Sequence, residues 1–116
     1  MLPVGAREQV SFKDGKEVDY GTPGSVRPDW CIGNICSIEV KNYDIHDNRN
    51  GLINIITEQA KERDKHLPKG MVQQVYIDLR GQKYSPADRD DIKKRIVNKS
   101  NGIIKFDDIL FIGGDE

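Results

Sequence analysis

The sequence predicts a mixed β-sheet with helices packed on it, α/β or α+β in class, and three observations carry the prediction. Two short β-prone pairs, each folded about a turn, occupy the first third of the chain. Two stretches of helical periodicity follow, the second opened by a capping signal. After each helix comes an apolar run of strand length, so the order reads hairpin, hairpin, α, β, α, β.

The first pair is Gln9–Phe12 and Glu17–Tyr20 around Lys13-Asp14-Gly15-Lys16, where Asp-Gly is a strong hairpin signal. Gly21-Thr22-Pro23-Gly24-Ser25 is a loop, since Gly and Pro exclude both a helix and a central strand. The second pair spans Arg27–Tyr43. Asp44–Asn50 is polar, and Asn48 or Asn50 can cap a helix. Leu52, Ile53, Ile56, Ala60, Arg63 and Leu67 recur at helical spacing, which predicts a helix from about Gly51 to His66, stopped before Pro68. Met71–Leu79 alternates as a strand, with Val75, Ile77 and Leu79 on one face and Gln74, Tyr76 and Asp78 on the other. Ser85-Pro86-Ala87-Asp88 starts a second helix with a hydroxyl cap, a first-turn Pro and an acid at the third position. That helix carries Ile92, Ile96 and Val97 and ends at Asn101-Gly102. Ile103–Phe106 and Ile109–Ile112 are expected as short strands.

A chain of 116 residues is about one domain and can bury one core without staples. With 36% apolar and 32% charged residues it is lean but globular, and a net charge of −1 gives no global pull toward nucleic acid. Any phosphate partner must be met by a local basic patch or a metal. Two cysteines, Cys31 and Cys36, make no disulfide framework. No run of about 18 apolar residues exists to span a membrane, and the N-terminus lacks the plan of a signal peptide. A strand-like run arrives within the first dozen positions, as expected of a C-terminal piece of a longer protein.

The Arg27–Tyr43 hairpin carries the chemistry. A D/E-x-K tripeptide alone is weak, because the chain has three: Asp14-Gly15-Lys16, Glu39-Val40-Lys41 and Asp91-Ile92-Lys93. The first lies in a turn and the third on a helix, where i and i+2 do not face one another. Only Glu39 and Lys41 fall in a strand, where they share a face with Ser37 while Cys36, Ile38 and Val40 form the apolar side. An odd connecting loop such as Ile32-Gly33-Asn34 sets Asp29 opposite Ser37, beside Glu39 and Lys41, and Trp30 on the apolar side. An even loop turns Asp29 away unless a bulge intervenes, and Pro28, lacking an N–H, makes an irregularity there expected. Asp29 and Glu39 suit a hard divalent cation, with a backbone carbonyl near Val40 as a third ligand. Lys41 suits an attacking water or the charged transition state. The plain alternative is a surface Glu–Lys pair contributing about 0–1 kcal/mol, with Asp29 a turn acid.

Pro28-Asp29 followed by Ile38-Glu39-Val40-Lys41-Asn42-Tyr43 resembles the PD-(D/E)XK, or restriction-endonuclease-like, nuclease superfamily. The wider wording, Tyr20-Gly21-Thr22-Pro23-Gly24-Ser25-Val26-Arg27-Pro28-Asp29 and then Glu39-Val40-Lys41-Asn42-Tyr43, resembles the C-terminal nuclease tips of bacterial polymorphic and contact-dependent growth-inhibition toxins. The resemblance covers roughly residues 20–43. It implies a restriction-endonuclease-like fold, metal ligation by Asp29 and Glu39, and completion of the catalytic set by Lys41. It implies Mg2+ or Mn2+ as cofactor, with Zn2+ as an alternative, and DNA as substrate, with tRNA also open. It further implies a cognate immunity protein, and a secreted or cell-surface-delivered effector acting in the target-cell cytoplasm. The family core begins with a helix that often carries another acid. Here there is little room for it: Glu8 is the one early acid, with Glu17 or Asp19 as fallbacks. The family often places a polar residue on the helix after the motif, a role that Gln59 and Arg63, one turn apart, can fill.

Tyr43 and His46 flank the motif and are candidates for substrate contact, against plain roles as a packing aromatic and a solvated loop histidine. Cys31, Cys36, His46 and His66 invite a zinc reading, but the odd spacing of the cysteines points them to opposite faces in the odd-loop register, and free buried cysteines are commonly inert. The basic runs Lys61–Lys69 and Lys93–Lys99 can contact phosphate, although mixed-charge helix faces are more often simply solvated. Two readings compete with the nuclease: a silent nucleic-acid-binding or interaction module of the same fold, and a housekeeping junction resolvase or repair nuclease.

Overall fold

The computed structural model describes residues 5–8 and 10–113. Residue Gln9, from which the first strand was expected to run, lies outside them. The Asp14-Gly15 signal forms its hairpin: β1 (Ser11–Lys13) pairs antiparallel with β2 (Lys16–Val18), and both turn residues take positive φ, 52° and 82°. That is the geometry of a two-residue turn matched to strand twist. This small sheet is tied to the rest by a Phe12–Val26 bridge and by the Gly15 amide, which donates to the His66 carbonyl at 2.8 Å.

The main sheet has four strands in the order β3-β4-β5-β6, namely Trp30–Ile32, Ile35–Val40, Val72–Asp78 and Ile109–Ile112. The first pair is antiparallel and the other two are parallel, so the sheet is mixed and the fold is α+β, as expected. The parallel pairs require crossovers, supplied by α1 (Arg49–His66) and α2 (Pro86–Lys99). Helix α1 starts two residues before the expected Gly51 and stops where Pro68 forbids continuation. Its stripe of Leu52, Ile53, Ile56 and Ala60 is buried against Ile38, Val75 and Ile77, and Ile92 and Ile96 of α2 close the same core. Both helices therefore cover one face of the sheet. The other face carries Trp30, Ser37, Glu39, Gln74, Tyr76 and Leu110, and among the described residues no helix lies over it.

Helix α2 begins as expected. The Ser85 hydroxyl accepts from the Asp88 amide, and the Asp88 carboxylate accepts from the Ser85 amide. The strand expected at Ile103–Phe106 does not form. The amides of Gly102, Ile103 and Ile104 are consumed by Val97, by Ser100 and by the Ser100 hydroxyl as α2 unwinds, leaving no donors for a ladder. Ile104 plugs the core from this turn, and a short 3-10 helix at Phe106–Asp108 leads into β6. No helix among the described residues is long and apolar enough to cross a membrane.

Candidate active site

The register of the β3–β4 hairpin decides where the candidate residues point. Trp30 faces Ser37, Cys31 faces Cys36 and Ile32 faces Ile35, so the turn is the two-residue Gly33-Asn34 and the loop is even, not the odd Ile32-Gly33-Asn34. Gly33 takes a φ of 56°, the glycine-first pattern of a two-residue hairpin turn. Two expectations tied to the odd loop are corrected with it. Trp30 lies on the Ser37 side, its ring 5.4 Å from that of Tyr76, rather than on the apolar side. Cys31 and Cys36 stand directly opposite one another, buried to 3% exposure each, and are joined as a disulfide. They are neither free cysteines nor zinc ligands, and Cys31 belongs to the small core with Val10, Phe12 and Leu67 rather than to an active face.

Asp29 is where the hairpin becomes irregular. Its amide donates to the Ser37 carbonyl at 2.9 Å, although Ser37 is already paired with Trp30. Two residues facing one is the arrangement of a β-bulge, which re-aims a side chain that strict alternation would turn away. Here the re-aimed carboxylate returns to β4: Asp29 Oδ2 accepts from the Glu39 amide at 2.6 Å. The irregularity at Pro28-Asp29 thus restores the proximity that the even turn would have removed.

Asp29 and Glu39 line one side of an open cleft of about 420 Å³, with Arg27 beside them. Helix α1 supplies the other side through Gln59, Glu62 and Arg63, positions at i, i+3 and i+4 that form a single stripe. Gln59 and Arg63, the helical pair considered for facing the motif, both line this cleft. Arg63 is nearly buried, at 8% exposure, and its Nε donates to Gln73 Oε1 at 2.8 Å. Gln73, also buried, donates its amide nitrogen to the Ala60 carbonyl at 3.0 Å. Burial pushes the Arg63 guanidinium down to about 10, opposed by the negative charge of Asp29, and it remains a cation at neutral pH.

Lys41 is placed differently. Strand β4 ends at Val40, Lys41 is the next residue, and the chain turns away only after it, at Asn42 with a φ of 70°. Lys41 lines a second depression of about 280 Å³ with Tyr43, Asp78, Arg80 and Gln82. Asp78 is held there by Arg80, whose Nη2 and Nε donate at 2.7 and 3.0 Å and whose amide donates at 2.9 Å. These bonds take the Asp78 carboxyl down to about 2, and Lys41 adds to the effect. Arg80 is raised by Asp78 first and by Glu39 more weakly, and the register sets Glu39 opposite Tyr76 on this open face of the sheet. Asp29 and Glu39 thus meet through carboxylate and backbone at the cleft, with Lys41 one residue beyond it.

Tyr43 packs against the main core, and its carbonyl accepts from Gln82. His46 is exposed and its Nε2 lies 2.6 Å from the Lys83 carbonyl, away from both depressions. Among the early acids, Glu8 is exposed and lines neither depression, Asp19 is likewise exposed, and Glu17 is paired with Arg7 at 2.6 Å. Glu62, Gln73, Asp78 and Arg80 escaped the sequence reasoning as site residues. Gln73 had a signal: it occupies the same strand phase as buried Val75 and Ile77, where a polar side chain needs a partner.

Asp29 Oδ1 and both Glu39 carboxylate oxygens accept no hydrogen bond among the described residues. Two carboxylates with water completing the shell match the donors that a Mg2+-type ion takes. Among the described residues no group of three or more His, Cys, Asp or Glu is gathered closely enough to hold a metal by itself. The chain matches no family model, no curated protein and no solved structure.

Proposed function

We propose that this protein is a divalent-metal-dependent endonuclease of the PD-(D/E)XK kind, with a restriction-endonuclease-like fold, that hydrolyses phosphodiester bonds of DNA, tRNA being the alternative substrate. The wording of residues 20–43 extends the reading to a delivered bacterial toxin neutralised by a cognate immunity protein. The observation that carries the reading is the 2.6 Å contact between the Asp29 carboxylate and the Glu39 amide, made on the strand pair where the motif requires its two acids to meet.

Asp29 and Glu39 are the residues that would hold Mg2+ or Mn2+. The bound ion supplies an acidified water and charge stabilisation on the phosphate. The chain's own contributions are separable. The bulge at Asp29 and its bond to the Glu39 amide hold one acid at the cleft wall. Lys41, one residue past β4, brings a cation that can orient water or meet developing negative charge. Gln59 and Arg63 face the strand from α1 and offer donors to substrate oxygens.

A second reading rests on one observation: Lys41 lines a depression with Asp78 and Arg80 rather than the cleft of Asp29. A non-catalytic nucleic-acid-binding module of the same fold accommodates that separation. Incubating the purified protein with plasmid DNA and total tRNA in Mg2+, Mn2+, Zn2+ or EDTA separates the two. Metal-dependent cleavage supports the nuclease, and binding without cleavage in every metal supports the module.

A further inference from the structure

Arg63 is an unusual cation for a helix surface. It is 8% exposed, its Nε is committed to Gln73 at 2.8 Å, and Gln73 is in turn committed to the Ala60 carbonyl at 3.0 Å. The two terminal nitrogens have no partner among the described residues. They are not buried without partners either: among the described residues the one buried side-chain polar atom lacking a partner is the Tyr84 hydroxyl. They are therefore not sealed from solvent, and Arg63 lines the cleft together with Arg27, Gln59 and the acids Asp29, Glu39 and Glu62.

Desolvating a guanidinium is costly, and a structural arginine recovers the cost by spending all its donors on neighbouring acceptors. Arg63 spends one, on a neutral amide, and leaves its two terminal nitrogens without a partner among the described residues at the wall of the cleft. A guanidinium presented this way is a fork matched to two oxygens of a phosphate. Gln73 supplies the orientation. With Nε fixed from strand β5, rotation of the guanidinium plane is restricted and the fork is pre-set before any ligand arrives.

We propose that Arg63, oriented by Gln73, is a phosphate-oxyanion seat in the cleft, that Gln73 is its positioning residue, and that the seat works without a metal. Its identification with a nucleic-acid phosphate rests on the nuclease reading; the anion seat itself does not. Asp29, whose charge acts on Arg63, opposes an anion there in the metal-free protein, and Glu39 and Glu62 line the same cleft.

The test uses the whole chain in EDTA, titrated with inorganic phosphate and, in a separate arm, with a short single-stranded oligonucleotide. The Arg63 side-chain Nε–H resonance and the backbone amides are followed by NMR. Phosphate is expected to shift Arg63 and cleft residues near Asp29 and Gln59. Arg63→Met should weaken phosphate by about tenfold or more, the loss expected for a charged donor. Arg63→Lys keeps the charge without the fork and should fall between. Gln73→Leu should broaden the Arg63 Nε–H signal and weaken phosphate while the far-ultraviolet circular dichroism is retained. Asp29→Asn should tighten phosphate. An Arg63 resonance that does not move at saturating ligand, or equal phosphate affinity in Arg63→Met and wild type, overturns the proposal. Phosphate binding confined to Lys93–Lys99 also overturns it. If both arms report on Arg63, the seat takes nucleic-acid strands; if phosphate alone does, the seat stands as a site for small phosphates. Arg63-dependent phosphate binding with no cleavage in any metal sinks the nuclease reading and leaves the seat intact. Cleavage that Arg63→Met leaves unchanged does the reverse.

Discussion

The carboxylate of Asp29 accepts the backbone amide of Glu39 at 2.6 Å, across a point where Asp29 and Trp30 both face Ser37. One acid thus helps fix the strand that carries the other, and the structural role of Asp29 can be pulled apart by substitution from its proposed role as a metal ligand. Asp29→Asn keeps an oxygen for the Glu39 amide and should leave the urea midpoint nearly unchanged. Asp29→Ala loses the bond and should cost about 1 kcal/mol of stability. Both should abolish metal-dependent cleavage. Equal activity in Asp29→Asn and wild type would remove Asp29 from the metal site.

The Arg63–Gln73 pair predicts strong coupling. Gln73→Leu leaves a buried guanidinium without its acceptor and should cost about 1–3 kcal/mol. In the Arg63→Met background the same change should cost much less, because no charge remains to satisfy. Urea denaturation of the four proteins in the cycle checks this; additive costs would mean that the 2.8 Å bond contributes little.

The Cys31–Cys36 link closes a short loop, its cysteines five positions apart in sequence. Loop-closure entropy for so few residues gives about 2 kcal/mol. Adding a phosphine reductant should lower the urea midpoint by a corresponding amount. An unchanged midpoint, with thiol titration proving reduction, would contradict it.

Arg49 bridges the helices, donating to Asp88 at 2.8 Å and to Asp91 at 3.0 Å. The Arg49 bond, helped by the Ser85 amide, holds the Asp88 carboxyl down to about 2. A carboxyl with its native pKa below the ordinary value of about 3.9 takes up its proton more readily in the unfolded chain. Its contribution is therefore present above about pH 4 and is lost as the pH falls toward about 2. Asp78, held by Arg80, acts with the same sign. The stability of Arg49→Met should depend less steeply on pH across that window than wild type does, measured as urea midpoints from acid to neutral pH.

Much of the fold was legible because it depends on local chemistry. Asp14-Gly15 dictates a turn with two positive φ angles, Pro68 stops α1, and Ser85 with Asp88 completes a capping box. Alternation placed Val75, Ile77 and Leu79 inside. The expected strand at 103–106 was not distinguishable from a turn because its apolar composition hides where its amides are spent. The hairpin register was ambiguous for a similar reason: Gly33-Asn34 and Ile32-Gly33-Asn34 are both acceptable turns, and one residue of difference exchanges the faces. The disulfide and the position of Trp30 follow from that single choice, and the bulge at Asp29 offsets it. Gln59 and Arg63 were candidates through the family resemblance, which puts a polar residue on the helix after the motif, but the burial of Arg63 and its bond to Gln73 are tertiary facts. That Lys41 lines a depression with Asp78 and Arg80 is likewise a tertiary fact, set by the neighbouring strand and not by composition.

The central claim, that Asp29, Glu39 and Lys41 form a metal-dependent phosphodiesterase, meets its most direct test in one cleavage assay. Wild type, Glu39→Ala and Lys41→Ala are each incubated with plasmid DNA and total tRNA in Mg2+ or Mn2+, with EDTA controls and circular dichroism to verify folding. Cleavage by wild type in metal alone, lost in both folded variants, is the predicted result; full metal-dependent cleavage by both variants would contradict it.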